Sequence, residues 1–224
     1  MDQSYYAHIE GNGIPIQNAE PLMAERKTMR ITDDTRFVDL PSFRTDGWNA
    51  EKFRKLVFMI YSKGTLISKV TGGSFGADKD WCEAHKKDDS LDSEKLTEVV
   101  NNGQISGLAF KDGYVIFSGL SECYPEMSDD EKFACLALFQ KIVSYVDDDK
   151  HQRVQIKEDE SENEKYAFRC WITRLGWTEQ YKSDKDARAF LYSKLSGHVA
   201  FKTKEDEGRW KETQARRKAE RQTA

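Results

Sequence analysis

The sequence predicts an α+β fold in which short helices and a small antiparallel sheet precede a helical C-terminal part. The sheet is indicated by residues 105–111 and 114–118, which alternate apolar and polar side chains across Asp112-Gly113, a dipeptide suited to a type I′ turn. The helical part is indicated by the capping box of Ser128 and Glu131, and by the apolar stripe of helical period that follows it to about Val146. A core can form, because the 224 residues include 12 Phe, 9 Tyr and 5 Trp.

Changes in composition divide the chain into four predicted parts. The first part contains several Gly and Pro residues and short β-like pieces at 27–31 and 35–40, which is typical of an extended arm or of the edge of a small sheet. We therefore expect an extended N-terminal arm at 1–45, an α+β part with the hairpin at 46–125, a helical part at 126–202, and a basic charged tail at 203–224.

Four short helices are expected before the hairpin. An amphipathic pattern predicts a helix at 48–61 and a second at 65–70, which Gly72 and Gly73 would end. Two further helices are predicted at 78–85 and 93–101, with Asp78 as the first N-cap and either Asp92 or Ser93 as the second.

Two helices are expected in the second half of the helical part. A second capping box, at Ser161 and Glu164, predicts a helix that runs to Leu175 and ends at Gly176. Ser183 is the predicted cap of a helix at 184–195, ended by Gly197. The acidic segment 147–160 separates these helices from the long one and includes a possible short strand at 153–157.

The apolar segments and the cysteines indicate the expected compartment of the protein and the state of its thiols. No segment reaches the roughly 18–20 apolar residues of a membrane span, and the first residues lack the basic and apolar regions of a signal peptide, so we expect a cytoplasmic protein without membrane contact. The four cysteines are scattered and form no CxxC pair, which predicts reduced thiols rather than disulfides. We expect no cofactor and no metal.

Two motifs suggest chemistry, and each has a simpler explanation. Residues 72–76 match the GxSxG pattern of a hydrolase with Ser74 as nucleophile, but the segment follows a predicted helix where a nucleophile elbow requires a strand. A glycine-rich helix stop is the favoured interpretation, and the serine hydrolase is kept as an unlikely alternative. Cys82 and His85 have helical ligand spacing, yet no second Cys/His pair accompanies them, so packing residues are favoured.

The distribution of charge is the most informative feature of the sequence. Residues 1–164 carry 20 basic and 31 acidic side chains, whereas residues 165–224 carry 15 basic and 8 acidic ones. The net charge is therefore −11 in the first segment and +7 in the second. The acidic cluster at 158–164 could ligate a cation or receive a basic protein partner, but a solvated turn and helix N-terminus explain it more simply and are favoured. The candidate nucleic-acid-binding residues in the basic quarter are Lys165, Arg169, Arg174, Lys182, Lys185, Arg188, Lys194, Arg209 and Lys211.

Two arrangements could hold these basic residues. The two helices joined across 176–182 could form a pair similar to a helix-turn-helix, although that connection is longer than the usual tight turn. An ordinary helical hairpin with a solvated basic side explains the same pattern and is favoured.

Three segments carry a resemblance to known proteins. Residues 163–176 (NEKYAFRCWITRLG), 195–201 (LSGHVAF) and 56–73 (LVFMIYSKGTLISKVTGG) resemble small "virulence-related" proteins of prophages and integrative conjugative elements of gut Firmicutes. The resemblance covers roughly residues 45–205 and implies a bacterial cytosol and a mobile genetic element. It implies no catalytic residues.

The sequence therefore leads to one main functional hypothesis with two alternatives. The first is a non-enzymatic accessory protein of a mobile element that binds a protein or nucleic acid. The second is direct nucleic-acid binding by the basic C-terminal helices, and the third is a hydrolase that uses Ser74.

Overall fold

In the computed structural model, residues 40–148, 156–157, 163–178 and 182–223 are described, the last seven by their backbone alone. They form the predicted α+β architecture, with two small antiparallel sheets among the helices and a helical C-terminal part. The strands are β1 Ser42–Arg44, β2 Gly76–Ala77, β3 Ile105–Ser106, β4 Ala109–Lys111 and β5 Tyr114–Ile116. The helices are α1 Ala50–Thr71, α2 Lys79–Ala84, α3 Ser93–Asn101, α4 Asp129–Asp147, α5 Glu164–Arg174, α6 Lys182–Ser193 and α7 Lys204–Thr223, with short 3₁₀ turns at Ser118–Leu120 and Tyr124–Glu126.

The predicted hairpin is present, and its turn has the expected backbone. Asp112 and Gly113 both adopt positive φ, 52° and 78°, between the antiparallel strands β4 and β5. Strand β1 pairs with the other edge of β5, so the end of the segment predicted as an arm completes a three-stranded sheet of order β1-β5-β4.

The first strand of the hairpin is shorter than predicted. The expected strand at 105–111 is divided: β3 pairs with β2 in a separate sheet, and only β4 pairs with β5. Gly107 separates them at a φ of 86°, where an added Cβ would lie 2.5 Å from the carbonyl oxygen of Ser74. The chain bends there because another backbone segment crosses it.

The two helices predicted at 48–61 and 65–70 are one continuous helix, α1, which corrects the prediction. Asn49 caps its start by accepting a 3.0 Å hydrogen bond from the Lys52 N–H, and Gly72, at a φ of 73°, ends it. Gly64 does not interrupt the helix. A Cβ there would lie 2.5 Å from the carbonyl oxygen of Phe75, so glycine allows β2 to approach the helix closely.

The remaining N-terminal boundaries follow local side-chain caps. Asp78 caps α2, and of the two candidates for α3 it is Asp92 that accepts from the helix. The capping box of α4 is confirmed, because Ser128 Oγ accepts from the Glu131 N–H and a Glu131 carboxylate oxygen accepts from the Ser128 N–H.

Two predicted caps in the C-terminal part are wrong. The cap of α5 is Asn163, whose Oδ1 accepts from the Tyr166 N–H, whereas the predicted cap was Ser161. Helix α6 begins at Lys182, so Ser183 lies inside it and is not its cap. Gly176 follows α5 at a φ of 73°, as the predicted stop requires.

Some predictions lie outside the described residues. These are the predicted arm up to residue 39, with its β-like pieces at 27–31 and 35–39, most of the strand predicted at 153–157, and residues 158–162 of the acidic cluster. The predicted tail is described as far as Thr223, and its backbone forms helix α7.

The core is built around α1 and α4. Helix α4 contacts α1 and α6, and α1 contacts α6 as well, so these three helices form one packed layer beside the small sheets. Leu56, Ile60, Ile67, Leu138 and Phe139 are fully buried in it. In the described part of the chain, no helix has the length and apolar character that a membrane crossing needs.

Candidate nucleic-acid interface

Arg188, one of the predicted nucleic-acid contacts, is buried in the C-terminal part. Its side chain is only 8% exposed, and the guanidinium donates to the Trp177 carbonyl oxygen at 3.2 Å and to the Tyr192 hydroxyl at 3.3 Å. Asp184, also buried, accepts from the Trp177 indole N–H at 3.2 Å. The two bonds to Trp177 join α6 to the segment that follows α5. The Arg188 guanidinium is therefore hydrogen-bonded inside the protein.

Lys165 and Lys194 also make contacts within the protein. Lys194 Nζ lies 3.7 Å from a Glu131 carboxylate oxygen on α4 and 4.8 Å from the centroid of the Phe190 ring. Lys165 is half-buried, and its backbone N–H donates to the Ser196 carbonyl oxygen at 3.0 Å. Neither side chain is a fully solvated cation.

The other predicted basic residues are exposed but occupy different surfaces. Lys182 and Lys185 lie on the outer side of α6 with the exposed Asp186, which makes that side mixed in charge. Arg174 is exposed at the end of α5. Arg169, Arg209 and Lys211 remain. Arg169 contacts a loop that carries two aromatic rings, and the other two are the sequence neighbours of a third aromatic residue on α7.

These aromatic residues, which we call the aromatic shelf, are His198, Phe201 and Trp210. The His198 and Phe201 rings stack with centroids 4.9 Å apart at 28°, and the Phe201 and Trp210 rings are 5.5 Å apart at 49°. Trp210 is 50% exposed, and among the residues with described side chains it is the one exposed large apolar residue. A half-exposed indole supported by a second ring is a surface on which another planar group can stack.

Several basic residues are neighbours of the shelf in the sequence or contact its loop. Arg209 and Lys211 flank Trp210 along α7, and Lys202 and Lys204 follow Phe201, all four being exposed. Arg169 reaches the same loop from α5, since its guanidinium donates to the Val199 carbonyl oxygen at 3.2 Å. Carboxylates in the first turn of α7 offset part of this charge, and Glu207 pairs with Lys211 at 2.7 Å.

The loop that carries His198 and Phe201 is held by Asn163, the N-cap of α5, and by Glu164, the first residue of that helix. Asn163 Oδ1 accepts from the His198 N–H at 3.1 Å, and the Asn163 amide nitrogen donates to the Phe201 carbonyl oxygen. The Glu164 carboxylate accepts from the Ser196 N–H at 2.9 Å and from its hydroxyl at 2.8 Å. Residues 196–201 are thus attached to α5 through side chains that sequence analysis had interpreted only as a helix start.

Glu164 also connects this loop to α1. Lys69 pairs with its second carboxylate oxygen, and the carboxylate is mostly covered. Burial by itself raises the pKa of Glu164, but the hydrogen bonds from Lys69 and from Ser196 outweigh that effect and hold the pKa below its usual value. Glu164 therefore stays ionised and links α1, α5 and the shelf loop.

The GxSxG segment is explained by close backbone packing. Ser74 follows α1 rather than a strand, its N–H donates to the Gly119 carbonyl oxygen at 2.9 Å, and its own carbonyl oxygen faces Gly107 and Gly119. A side chain at either glycine would collide with that oxygen. Within the motif, Gly72 ends α1 at a φ of 73°, and a Cβ at Gly73 would lie 2.6 Å from the Gly119 carbonyl oxygen, so these glycines also have backbone roles.

Cys82 and His85 pack within α2. The His85 ring stacks on Trp81 with centroids 4.3 Å apart, and its Nδ1 is 2.8 Å from the Trp81 carbonyl oxygen. Burial, with the nearby charges of Asp78 and Glu83, raises the pKa of Cys82 to about 12, so the thiol is protonated at neutral pH. In the described part of the chain, no cluster of three or more His, Cys, Asp or Glu side chains could hold a metal ion.

An open cavity of about 260 Å³ lies between the end of α1, the second 3₁₀ turn and α6. Lys69 and Lys194 line it, and both pair with carboxylates, of Glu164 and Glu131 respectively. Burial raises the pKa of Cys123, which also lines the cavity. The cavity is thus lined by paired charges and by a thiol that burial keeps protonated.

The shelf was not found from the sequence, although one signal was available. Trp210 is the one aromatic residue in the predicted tail, between Arg209 and Lys211, and a lone tryptophan in such a polar segment has no obvious core to join. Its association with His198, Phe201 and Arg169 required the tertiary structure.

In comparisons with known proteins, no family model, curated protein or solved structure matches the chain. Its function must therefore be inferred from its own residues.

Proposed function

We propose that the protein is a non-enzymatic accessory protein of a mobile genetic element, and that it acts by binding nucleic acid at the aromatic shelf and along α7. The mobile-element context comes from the sequence resemblance. The proposed binding mode is supported by the half-exposed Trp210, whose neighbours along α7, Arg209 and Lys211, are exposed as well. That indole, left at the surface beside arginine and lysine, is the observation that carries the proposal.

The charge around Trp210 favours an anionic polymer as the partner. Residues 209–224 contain six basic side chains and two acidic ones, an excess of four positive charges that begins immediately before Trp210. A polyanion gains affinity from such a segment by releasing its condensed counterions, whereas a neutral partner gains nothing from it. The net −11 of residues 1–164 repels phosphates from the rest of the chain, so contact is directed to the C-terminal quarter.

The test is a fluorescence-anisotropy titration of the full chain with labelled DNA and RNA at several salt concentrations. We expect affinity to fall steeply as salt rises. The variant Arg209→Gln/Lys211→Gln/Arg216→Gln removes three exposed charges of α7 while keeping good helix formers, and it should reduce the slope of log affinity against log salt by about 2 for a single strand.

A matched control removes three charges elsewhere. Lys79, Lys87 and Lys111 are exposed in the α+β part, and changing them to Gln should leave both affinity and slope nearly unchanged. Equal losses in the two triple variants would show that binding is a general charge effect and would reject the assigned surface. Absence of binding at low salt would reject nucleic acid, and co-purification of a defined protein would then identify the partner.

A further inference from the structure

We infer that Trp210 is a stacking platform for an unpaired base, so that the protein prefers single-stranded nucleic acid to duplex. This inference rests on the proposed nucleic-acid function and adds the form of nucleic acid and the residue that recognises it. It concerns the aromatic shelf alone.

Trp210 differs from the other tryptophans of the chain in its exposure. Trp81, Trp171 and Trp177 are 5%, 6% and 1% exposed, and Trp48 is half-buried against Phe53, with ring centroids 5.4 Å apart. These four belong to the core or its margin. Trp210 lies on α7, where nearly every described residue is exposed, and its recorded ring neighbour is Phe201.

The shelf holds the indole ready for contact. One side of Trp210 lies against Phe201, Phe201 in turn stacks on His198, and Asn163 and Glu164 anchor the loop between them. A preformed platform loses little conformational entropy when a ligand binds. Half of the Trp210 surface remains open to a second planar group.

The chemistry of the ligand follows from the shape of this surface. Every nucleobase has a flat face that can stack on an indole, and the phosphates on either side of that base would meet basic residues such as Arg209 and Lys211. In a duplex the faces of the bases are covered by their neighbours, so an indole on a convex helix meets only backbone and base edges. The shelf therefore selects strands with unpaired bases.

The experiment compares three ligands of equal length: a single-stranded oligonucleotide, its duplex, and an abasic strand that keeps the phosphates without the bases. Trp210→Ala should weaken binding of the single strand by about 5- to 150-fold, the range expected for one stacked base. The same change should alter binding of the duplex and of the abasic strand by less than about 2-fold. Trp210→Phe, which keeps an aromatic face, should retain most of the affinity.

A second readout is the intrinsic fluorescence of the protein. Base stacking on Trp210 should quench part of the emission when the single strand is added, and that quenching should disappear in Trp210→Ala. The control Trp48→Phe alters a half-buried tryptophan and should keep both the quenching and the affinity. Circular dichroism of the variants checks that the fold is intact.

The outcomes separate this inference from the proposed function. Salt-dependent binding that Trp210→Ala does not change, or that is equal for the abasic strand, overturns stacking and leaves nucleic-acid binding in place. No salt-dependent binding to any of the three ligands overturns both. Self-association of the free protein that is lost in Trp210→Ala, without quenching by the single strand, overturns stacking and assigns the shelf to a second copy of this chain.

Discussion

Two aromatic clusters of this protein have similar ring spacings but opposite surroundings. Where α4 packs on the α+β part, the rings of Phe75, Phe117 and Phe139 have centroids 4.0–6.4 Å apart, and none of the three is more than 6% exposed. In the C-terminal part, the rings of the aromatic shelf are 4.9 and 5.5 Å apart, yet Trp210 is half-exposed. Contact between rings is therefore common to both, and burial is what distinguishes them.

This difference separates aromatic residues that stabilise the fold from those available for binding. A buried ring contributes through the apolar area it removes from water and through dense contacts on all sides. A ring with one covered face contributes less to folding and keeps the other face for a partner. The arginines show the same contrast. Arg188 is buried and hydrogen-bonded inside the protein, whereas Arg209 and Arg174 are at its surface.

The largest expected effect is the loss of a buried ring. Phe139→Ala should lower the free energy of unfolding by about 3–5 kcal/mol, because Phe139 is fully buried and its removal leaves a cavity between two other rings. Trp210→Ala should change it by no more than about 0.5 kcal/mol, as expected for a surface substitution. Urea denaturation of the two variants measures both, and equal losses would contradict the division into core and surface clusters.

A pair of glycines gives a smaller effect with opposite signs. Gly64→Ala places a Cβ 2.5 Å from the Phe75 carbonyl oxygen and should destabilise the protein by about 1–3 kcal/mol, although alanine is the better helix former. At Gly208 in α7 a Cβ meets nothing within 4 Å, so Gly208→Ala should raise the helical circular dichroism signal without loss of stability. Thermal and urea unfolding measure the stability of both variants. A Gly64→Ala variant that is more stable than the unmodified protein would show that the backbone leading into β2 does not pack closely on α1.

The smallest expected effect is a dependence on pH at Glu164, which links the two regions. Its pKa is lowered in the folded protein, so its contribution to stability is complete above the ordinary glutamate range near about 4.3 and is lost as the pH falls through the lowered folded value. Glu164→Gln keeps one acceptor oxygen for Ser196 but removes the charge that pairs with Lys69, and it should flatten this part of the curve.

Urea unfolding at several pH values between about 3 and 6, a range that spans the ordinary glutamate pKa, measures this pH dependence of stability in the unmodified protein and in Glu164→Gln. Lys69→Met removes the partner on α1 but leaves the hydrogen bonds from Ser196, which also lower the Glu164 pKa, so it should flatten the curve only in part. An unchanged slope in both variants would show that the pair does not hold the C-terminal part to α1.

The local features of the fold were predictable from the sequence because their causes lie a few residues apart. Asp112-Gly113 forms its turn by itself, and Ser128 and Glu131 cap α4 through bonds across three residues. The continuity of α1 through Gly64 was not predicted, because the role of this glycine depends on the backbone at Phe75, outside the helix. The bonds of Asn163 and Glu164 to the shelf loop were not predicted, since their partners at 196–201 are more than thirty residues away.

The sequence by itself determined the α+β class, the turn, the α4 capping box and the concentration of positive charge after residue 164, all of which depend on near neighbours or on composition. The tertiary structure decided which charged and aromatic side chains are available to a partner. Arg188 is enclosed by Trp177 and Tyr192, while Trp210 is supported by Phe201 and left open. Burial depends on segments that meet only when the chain has folded, so no local pattern could distinguish the enclosed arginine from the exposed indole.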